Sequence, residues 1–389
     1  MRLTVKLWEI CEIERWGSPR PIQEFLTTDE NWINWIKIWD TKTQPKYIEF
    51  TQEKIKPEWV KRSRMVYPWD FILSNSMSFG RPYIMKTSWC IHDWRLVLRP
   101  DNRIDKEFLY YLLGSNFMYK KFENSASWTG VKNLNIDKVK VVEIPLPPLE
   151  TQKAIVAKLD QIFAELDQTK SEIQKNLENV DEFWKSALNQ AFQGDWEMKK
   201  LGEMAEIWDW LHWTPQYEEL SEYRFINWNN IKWWYINFNS AKYISENTYN
   251  KLKIDFTVWR TVFMSINWTI WNLAFYNNEK ITLWKSVCYF NIKYSGLSTE
   301  YLYYYLQTNT SKNYYDNNKT WNTIMNLWLK AIREYSIPVP PISEQEKIVE
   351  HLDQVSKEVK ELKSQYQSQL DNLEELKKSV LDKAFRWEM

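Results

Sequence analysis

The chain has 389 residues, which is long enough for two domains with hydrophobic cores of ordinary size. Lys plus Arg and Asp plus Glu each number 51, so the net charge of zero disfavours a protein that coats nucleic acid by bulk charge but allows local basic faces. No apolar run approaches the roughly 18 residues of a membrane helix, and we recognise no signal peptide, so we expect a cytoplasmic protein with no membrane partner. Cys11, Cys90 and Cys288 lack metal-ligand or disulfide spacing, so we expect no bound metal.

Two mixed domains alternate with two helical segments along the chain. Their predicted bounds are 1–143 for the first mixed domain, 144–195 for the first helical segment, 196–336 for the second mixed domain and 337–389 for the second helical segment. Short β-branched and aromatic runs between polar loops predict a β-rich fold for each mixed domain, and a short amphipathic helix near its end, at 105–113 and 298–306. The predicted fold class is α+β.

Each helical segment contains one long predicted helix, over 149–193 and over 342–386. Apolar residues recur in both at steps of three and four, neither helix contains Pro or Gly, and each begins after a Pro-Pro pair. A single-stripe helix of about 44 residues is marginal alone, so the two are predicted to pack on each other as an antiparallel coiled coil.

The chain is one unit of about 190 residues written twice. Residues 144–162 read IPLPPLETQKAIVAKLDQI and residues 337–355 read IPVPPISEQEKIVEHLDQV, with ten of nineteen positions identical at an offset of 193. A duplicated chain has near two-fold internal symmetry, so its natural ligand is expected to have two similar halves.

The composition is abnormal in having 25 Trp and only 7 Gly. The internal repeat pairs Trp8 with Gly202, Trp271 with Gly80 and Trp387 with Gly194, and several other Trp residues occupy turn-like contexts. Glycine is chosen at such positions for positive φ or close backbone approach. We therefore interpret many of these Trp residues as standing where a relative has Gly. Design, drift or an error in the sequence could each explain this, and the alternative is a chain that is simply Trp-rich.

This interpretation predicts a backbone strain of about 1–2 kcal/mol wherever such a Trp has positive φ. A version with Gly restored is accordingly predicted to be more stable. The positions are Trp8, Trp69, Trp268, Trp271 and Trp387.

Catalytic motifs are not recognisable in this sequence. There is no Gly-rich phosphate loop, no Asn-Pro-Pro-aromatic methyltransferase signature and no convincing nuclease carboxylate pattern. The three histidines are scattered, and His351 falls on a predicted helix at a position aligned with Lys158, which favours a solvated residue.

Polar loops suited to reading DNA edges are the remaining candidates, because Asn and Gln can bond adenine and Arg can bond guanine in bidentate fashion. Each alone is more often a loop-forming residue than a base reader. The first-domain candidates are Arg15, Ser18 and Arg20 in one turn, with Asn75, Ser76 and Arg81 in one loop. The second-domain candidates are His212, Thr214 and Gln216 in place of that turn, Asn267, Thr269 and Asn272 in place of that loop, and a further cluster of Asn227, Asn229, Asn230 and Lys232.

The two helical segments carry the most specific pattern. Each has Ile-Pro-Leu/Val-Pro-Pro-x-x-x-Gln before a long helix that ends Lys-Ser-x-Leu-x-x-Ala-Phe, and residues 200–207 read Lys-Leu-Gly-Glu-Met-Ala-Glu-Ile. Two variable domains followed by these motifs resemble the specificity subunit of type I restriction–modification systems over essentially the whole chain. The equivalent residues 6–13 depart from this pattern at Trp8. This departure affects the predicted conformation of the turns and not the resemblance to the family.

The resemblance implies a subunit without catalytic activity or a cofactor of its own. Each mixed domain would be a target-recognition domain that reads one half of an asymmetric, bipartite sequence in double-stranded DNA. The two helices would set the gap between the half-sites and help bind two modification subunits, which carry S-adenosylmethionine and methylate adenine. Restriction subunits that translocate and cut DNA would join this core.

Two other functions stay open at this stage. A self-contained restriction–modification enzyme could carry such a module, although it would need catalytic motifs that the sequence does not display. The second alternative is a coiled-coil scaffold with two domains that bind non-DNA ligands. DNA binding in the presence of a methylating partner would distinguish a specificity subunit from such a scaffold.

Overall fold

The structure is a computed structural model that describes residues 4–15, 26–27, 32–36, 40, 46–57, 60, 63–74, 80–91, 95–125, 127–129, 131–133, 136–209, 213–232, 234–267, 271–321 and 325–386. The chain forms two compact units. Unit 1 comprises Met1–Ile173 with Ser368–Met389, and unit 2 comprises Gln174–Gln367.

Strands dominate the first half of the chain, which ends in a long helix. The strands are β1 (Thr4–Lys6), β2 (Cys11–Arg15), β3 (Leu26–Thr27), β4 (Ile33–Ile36), β5 (Tyr47–Ile48), β6 (Glu53–Ile55), β7 (Arg64–Val66), β8 (Phe71–Ser74), β9 (Pro82–Met85), β10 (Trp89–Ile91), β11 (Arg95–Pro100), β12 (Ser127–Thr129), β13 (Val131–Asn133) and β14 (Glu143–Pro145). The helices are α1 (Lys106–Leu113), α2 (Asn116–Ser125), α3 (Ile136–Lys140) and α4 (Leu149–Ala191), with a short 3-10 helix at Leu7–Glu9.

The second half repeats this order with shorter sheets. Its strands are β15 (Met198–Lys200), β16 (Ala205–Asp209), β17 (Arg224–Ile226), β18 (Lys242–Tyr243), β19 (Thr261–Ser265), β20 (Leu273–Phe275), β21 (Ile281–Leu283), β22 (Val287–Ile292), β23 (Lys319–Trp321), β24 (Met325–Leu327) and β25 (Ser336–Pro338). Its helices are α5 (Leu201–Met204), α6 (Glu246–Leu252), α7 (Thr299–Tyr305), α8 (Asn309–Asn318), α9 (Leu329–Glu334) and α10 (Ile342–Arg386).

The main sheet of unit 1 has the strand order β2-β11-β8-β9-β5, with β5 parallel to β9 and the other neighbours antiparallel. A second sheet has the order β3-β6-β4-β10-β7, in which β4 and β10 are parallel. β1 pairs with β14, so the strand that enters the domain lies beside the strand that leads into α4. Apolar side chains from the main sheet, α1 and the start of α4 form one core.

Unit 2 is built on the same plan. Its main sheet has the order β16-β22-β19-β20 and is antiparallel throughout, while a second sheet has the order β18-β17-β21 with β17 parallel to β21. β15 pairs with β25 as β1 pairs with β14. The internal repeat inferred from the sequence therefore appears as equivalent strands, and the α+β prediction is confirmed.

The predicted helices are also confirmed. α4 and α10 match the predictions over 149–193 and 342–386 to within two residues. The short amphipathic helices are α1 and α7, which begin after the N-cap residues Asp105 and Ser298. Each cap side chain accepts a hydrogen bond from a backbone N–H three residues later, so one of the free donors of the first turn is satisfied.

The long helices pair antiparallel within each unit. In unit 1 the Lys377 ammonium lies 2.9 Å from Asp167 and the Lys170 ammonium lies 2.6 Å from Glu374, so residue numbers rise along one helix as they fall along the other. In unit 2 Val180 packs with Val355 and Val359. The apolar seam predicted from the sequence is thus buried between the helices.

Gln152 joins the mixed domain of unit 1 to its long helix. Its side chain is fully buried, its Oε1 accepts a hydrogen bond from the N–H of Asp105 at 2.6 Å, and its Nε2 donates to the carbonyls of Arg103 and Pro147. This one amide satisfies three backbone groups that come from the start of α1 and the start of α4.

Gln345 makes the same connection in unit 2. Its Oε1 accepts from the N–H of Ser298 at 2.8 Å, and its Nε2 donates to the carbonyls of Gly296 at 2.7 Å and Pro340 at 2.8 Å. The offset of 193 relates every side-chain position in the two networks. The glutamine of the Pro-Pro-x-x-x-Gln motif is therefore a structural residue, and we call each network the glutamine tie.

The backbone conformation of the Trp residues bears directly on their interpretation as displaced glycines. Among the described residues, the non-Gly residues with positive φ are four Trp and one Asn, namely Trp69, Trp234, Trp259, Trp271 and Asn278. The interpretation is confirmed at Trp69, with φ of 76°, and at Trp271, with φ of 96°.

Trp271 occupies the place of Gly80 in the repeated hairpin. The N–H of Gly80 donates to the carbonyl of Ser74, and the N–H of Trp271 donates to the carbonyl of Ser265. Gly80 has φ of 74°, so the hairpin requires the left-handed conformation that Gly adopts freely and Trp adopts under strain.

The prediction of strain is wrong at Trp8. This residue lies exposed in the 3-10 helix and is not among the residues with positive φ. Its repeat partner Gly202 is small for another reason, since a Cβ there would lie 3.0 Å from the Cβ of Arg333. Trp268 and Trp387 lie outside the described residues.

Replacing Trp69 or Trp259 with Gly is expected to raise the free energy of unfolding by about 1 kcal/mol, because release of the left-handed strain exceeds the added entropy of the unfolded chain. Trp328→Gly is the matched control, since Trp328 is as exposed as Trp259 (57% against 55%) but has φ of −72°. Thermal and urea unfolding measure the difference. Equal or lower stability of the two positive-φ variants, relative to the unaltered chain, would contradict the interpretation.

Replacing Gln345 with Leu is expected to lower the free energy of unfolding by about 2–4 kcal/mol, because one N–H and two carbonyls lose their partner in a buried place. Gln354→Leu is the control on the same helix, where the exposed amide donates a hydrogen bond to Glu358 and the expected change is within about 0.5 kcal/mol. Urea unfolding of both variants tests the tie, and similar small losses would show that Gln345 is dispensable.

Candidate nucleic-acid interface

The candidate DNA-contacting segments of unit 1 follow two strands that finish at the same end of its main sheet, which we call the polar edge. Arg15 at the end of β2 and Ser74 at the end of β8 pair with adjacent residues at the start of β11. The ends of β2 and β8 therefore lie at the same end of the main sheet, on either side of β11. In the sequence they are followed by residues 16–25 and 75–79. The predicted residues Ser18, Arg20, Asn75 and Ser76 belong to these segments, outside the described residues, as does the side chain of Arg15.

Arg81 lies at the far end of the second segment, directly before β9. Its side chain is exposed, and its guanidinium lies 5.5 Å from the centre of the Tyr83 ring. The carbonyl of Arg81 accepts a hydrogen bond from the N–H of Ser74, which closes the hairpin. Arg81 is thus held by backbone contacts, with its positive end exposed.

Unit 2 presents the equivalent edge. Asp209 at the end of β16 and Ser265 at the end of β19 pair with adjacent residues at the start of β22. His212 and Thr269, which follow these strands, lie outside the described residues. Thr214 and Gln216 are both exposed, on either side of the buried Pro215.

The asparagine cluster at 227–232 forms a tight turn, and its members have different roles. Asn230 is fully buried, its Oδ1 accepts from the N–H of Asn227, and its Nδ2 donates to the carbonyl of Asn237. The prediction that Asn230 contacts bases is therefore corrected: its polar atoms hold the turn. Asn229 is exposed at the tip, and Lys232 is half-buried.

Asn272 connects the repeated hairpin to this turn. Its Nδ2 donates to the carbonyl of Ile231 at 3.1 Å, and its N–H donates to the hydroxyl of Ser265 at 3.1 Å. The half-buried Asn267 has its Oδ1 buried without a hydrogen-bond partner among the described residues. The structure thus brings Asn229, Lys232 and Asn272 onto two connected segments, which sequence alone did not place together.

Sequence reasoning missed several cations that lie beside these segments. Lys312 on α8 is half-buried, and burial together with the nearby Lys185 lowers its pKa. Lys360 on α10 lies 5.2 Å from the centre of the Trp234 ring. The repeated Lys-Ser pairs that contain Lys185 and Lys378 were visible in the sequence, but their position beside the loops was not.

Metal clusters and reactive thiols are two features that an enzyme of this composition could use. In the part of the chain that the structure describes, no cluster of three or more His, Cys, Asp or Glu side chains could hold a metal ion. Burial raises the pKa of Cys11 to about 12 and of Cys90 to about 11, so both thiols stay protonated near neutral pH. Within the same residues, no helix has the length and apolar character needed to cross a bilayer.

The described residues thus form a duplicated domain in which two strands of the main sheet end together before polar segments of the sequence, and each copy is tied to paired helices. This arrangement is that of a protein with two equivalent parts. The family model described as "Type I restriction modification DNA specificity domain" matches residues 3–179 and 193–372. The chain belongs to this family, and its function is sequence-specific DNA recognition in a type I restriction–modification system.

Individual relatives are distant but extensive. The chain is 21% identical over 321 residues to the type I restriction enzyme EcoDI specificity subunit of Escherichia coli, covering 74% of this chain and 70% of the relative. It is 22% identical over 375 residues to the EcoKI specificity subunit of Escherichia coli strain K12, covering 85% and 77%. These relatives are specificity subunits of restriction enzymes.

Solved structures share the fold over the full chain. A chain from a structural study of complex assembly and conformational transition in the type I R-M system has a TM-score of 0.72 at 20% identity, covering 100% of this chain and 98% of that one. The HsdS subunit from Thermoanaerobacter tengcongensis has a TM-score of 0.56 at 21% identity, covering 100% and 97%. At these identities the likeness concerns the fold alone.

Proposed function

We propose that each unit reads one half of a bipartite target in double-stranded DNA, and that α4 and α10 fix the gap between the two half-sites. The observation that carries this proposal is the duplication of the polar sheet edge, with its two following segments, on two copies of one domain. Contacts to bases are local to the segments that make them, so two such edges recognise two separate groups of bases.

The proposed contacts follow from exposure and residue type. In unit 2 the exposed side chains of Thr214, Gln216 and Asn229 can reach base edges, with Asn272 and Lys232 on the adjoining segments. In unit 1 the equivalent contacts would come from Arg15, Ser18, Arg20, Asn75 and Ser76. Amide and guanidinium groups dominate these sets, and these groups distinguish adenine and guanine in the major groove.

The helices are suited to act as a spacer. Apart from the seam, they are joined by exposed ion pairs such as Asp167 with Lys377, which are worth little individually but fix the register of the pair when several occur together. A straight helix changes length by about 1.5 Å for each residue inserted, so the gap would follow helix length directly.

The helices also carry exposed apolar side chains at equivalent positions in the two units, where modification subunits could bind. Leu149 and Leu376 are exposed in unit 1, and Ile342 and Phe183 are exposed in unit 2. The offset of 193 relates Leu149 to Ile342 and Phe183 to Leu376. Exposed apolar side chains repeated in this way support two copies of the same partner.

In this proposal the chain contributes recognition, not chemistry. Its relatives are specificity subunits, and S-adenosylmethionine would be bound by the modification subunits that methylate adenine. Restriction subunits would join the same complex. The scaffold alternative, in which the domains bind non-DNA ligands, is not favoured because the family is a DNA specificity family.

Exchange of residues 1–143 for the first domain of a relative is expected to change one half of the target and leave the other half and the gap unchanged. Insertion of about one helical turn within 165–180 is the matched control, since it is expected to change the gap and leave the bases of both halves unchanged. Mapping of methylated adenines, with the cognate modification subunit present, reads out both variants. A change in both halves after the exchange would contradict modular recognition.

A further inference from the structure

Each unit contains a cleft where its recognition domain meets the helix pair. In unit 1 it is lined by Tyr119, Lys378 and Leu381 together with residues of the repeated hairpin, and in unit 2 by Lys312, Lys185 and Leu188. The offset of 193 relates Tyr119 to Lys312, Lys378 to Lys185 and Leu381 to Leu188. The duplicated fold therefore builds the same cleft twice.

Positively charged residues outnumber carboxylates in the lining of both clefts, although the chain as a whole is neutral. The charged lining residues in unit 1 are Lys46, Arg81, Lys377 and Lys378 against Asp167 and Glu374. Those in unit 2 are Lys185, Lys312, Lys360 and Lys363 against Asp181. Three of these lysines, Lys46, Lys185 and Lys378, pair with Glu107, Glu182 and Glu375, which lie just outside the lining. Local charge of one sign in a concave site attracts a ligand of the opposite sign.

The cleft carboxylates are already neutralised by lysines. In unit 2 Lys363 pairs with Asp181, and Lys185 lies 2.7 Å from Glu182. Lys312 and Lys360 have no carboxylate partner among the described residues of the unit. In unit 1 Arg81 likewise has no carboxylate partner among the described residues, and its guanidinium lies over the face of the Tyr83 ring.

Lys312 is the most informative of these cations. It is half-buried, and burial and Lys185 lower its pKa, so the site opposes its charged form. An anion between these two lysines would reverse both effects, because it would replace lost hydration and separate the like charges.

The clefts adjoin the segments proposed to read bases. Arg81, which lines the cleft of unit 1, ends the hairpin segment that contains Asn75 and Ser76. In unit 2 the cleft is lined by Trp234, whose N–H donates to the carbonyl of Leu273, the residue after Asn272. A ligand held by the base-reading segments would therefore pass next to the cleft.

We propose that the two clefts bind phosphate groups of the DNA backbone beside each half-site, through Lys312 and Lys360 in unit 2 and Arg81 in unit 1. This inference rests on the proposed function and names the contacts that would hold the DNA in position for it. Phosphate contacts supply much of the affinity of DNA-binding proteins and fix their register, while base contacts supply specificity. Arg81 accordingly moves from a predicted base contact to a phosphate contact.

The test measures DNA binding against salt concentration for the chain assembled with its modification subunits, on a duplex that contains the mapped target. Lys312→Gln and Lys360→Gln are each expected to reduce the slope of log affinity against log salt by about 0.9, with the methylated sequence unchanged. Lys357→Gln is the control, because it removes the same charge from an exposed position on α10 outside the cleft and is expected to leave the slope unchanged.

Arg81→Gln distinguishes the two roles of the arginine in unit 1. A phosphate contact predicts a smaller salt slope with the same methylated sequence. Loss of discrimination at a single base pair, with the slope unchanged, would show that Arg81 reads a base and would overturn the assignment for unit 1.

Other outcomes are equally decisive for unit 2. Slopes for Lys312→Gln and Lys360→Gln equal to that of Lys357→Gln would overturn the phosphate site. Loss of modification subunits from the complex, with the slope unchanged, would instead make the cleft a protein-docking site and also overturn it.

The melting temperature of Lys312→Gln is expected to equal or exceed that of the unaltered chain, since a desolvated charge is removed. Absence of any methylated target with the unaltered chain would reject the proposed function itself.

Discussion

The rest of the structure depends on one buried amide in each unit. Gln152 and Gln345 are inaccessible to solvent, and each satisfies one N–H and two carbonyls drawn from the recognition domain and from the turn that begins a long helix. Because a buried polar group is costly unless its partners are all in place, this geometry admits one orientation of domain on helix. A recognition edge can set a fixed gap only if it is fixed to the spacer, and the glutamine tie provides that connection within each unit.

Further contacts repeat around the tie with the same offset. Tyr111 donates a hydrogen bond to Asp160, and Tyr304 donates one to Asp353. Burial, and to a lesser extent the carboxylate contact, raises the pKa of both phenols, so both hydroxyls stay protonated and act as donors. The rings of Phe108 and Phe385 lie edge to face in unit 1, and Tyr301 and Phe192 do so in unit 2. The end of each long helix thus packs on the recognition domain of the unit in which it finishes. In the proposed function, recognition of two half-sites is the counterpart of this symmetry.

The sequence predicted most of what repeats and little of what is irregular. Helix periodicity located α4 and α10 to within two residues, because a long apolar stripe leaves few alternatives. The strand order was not predictable, since the short strands of each domain pair across long intervals and some pair in parallel, as Cys90 does with Trp35. The role of Asn230 was also not predictable, because an Asn in a polar loop has the same sequence context whether its amide faces solvent or closes a turn. Trp271 was identified through its Gly partner in the repeat, whereas Trp8 was misjudged because small size and positive φ are separate reasons for Gly.

The central claim is that two copies of one domain read two separate halves of one DNA sequence across a fixed gap. The most direct measurement is the map of methylated adenines in DNA exposed to the unaltered chain with its cognate modification subunit. The account predicts methylation within a single asymmetric sequence of two specific parts, separated by a constant number of unspecified bases. Methylation within one continuous sequence, at half-sites with variable gaps, or without sequence preference would contradict it.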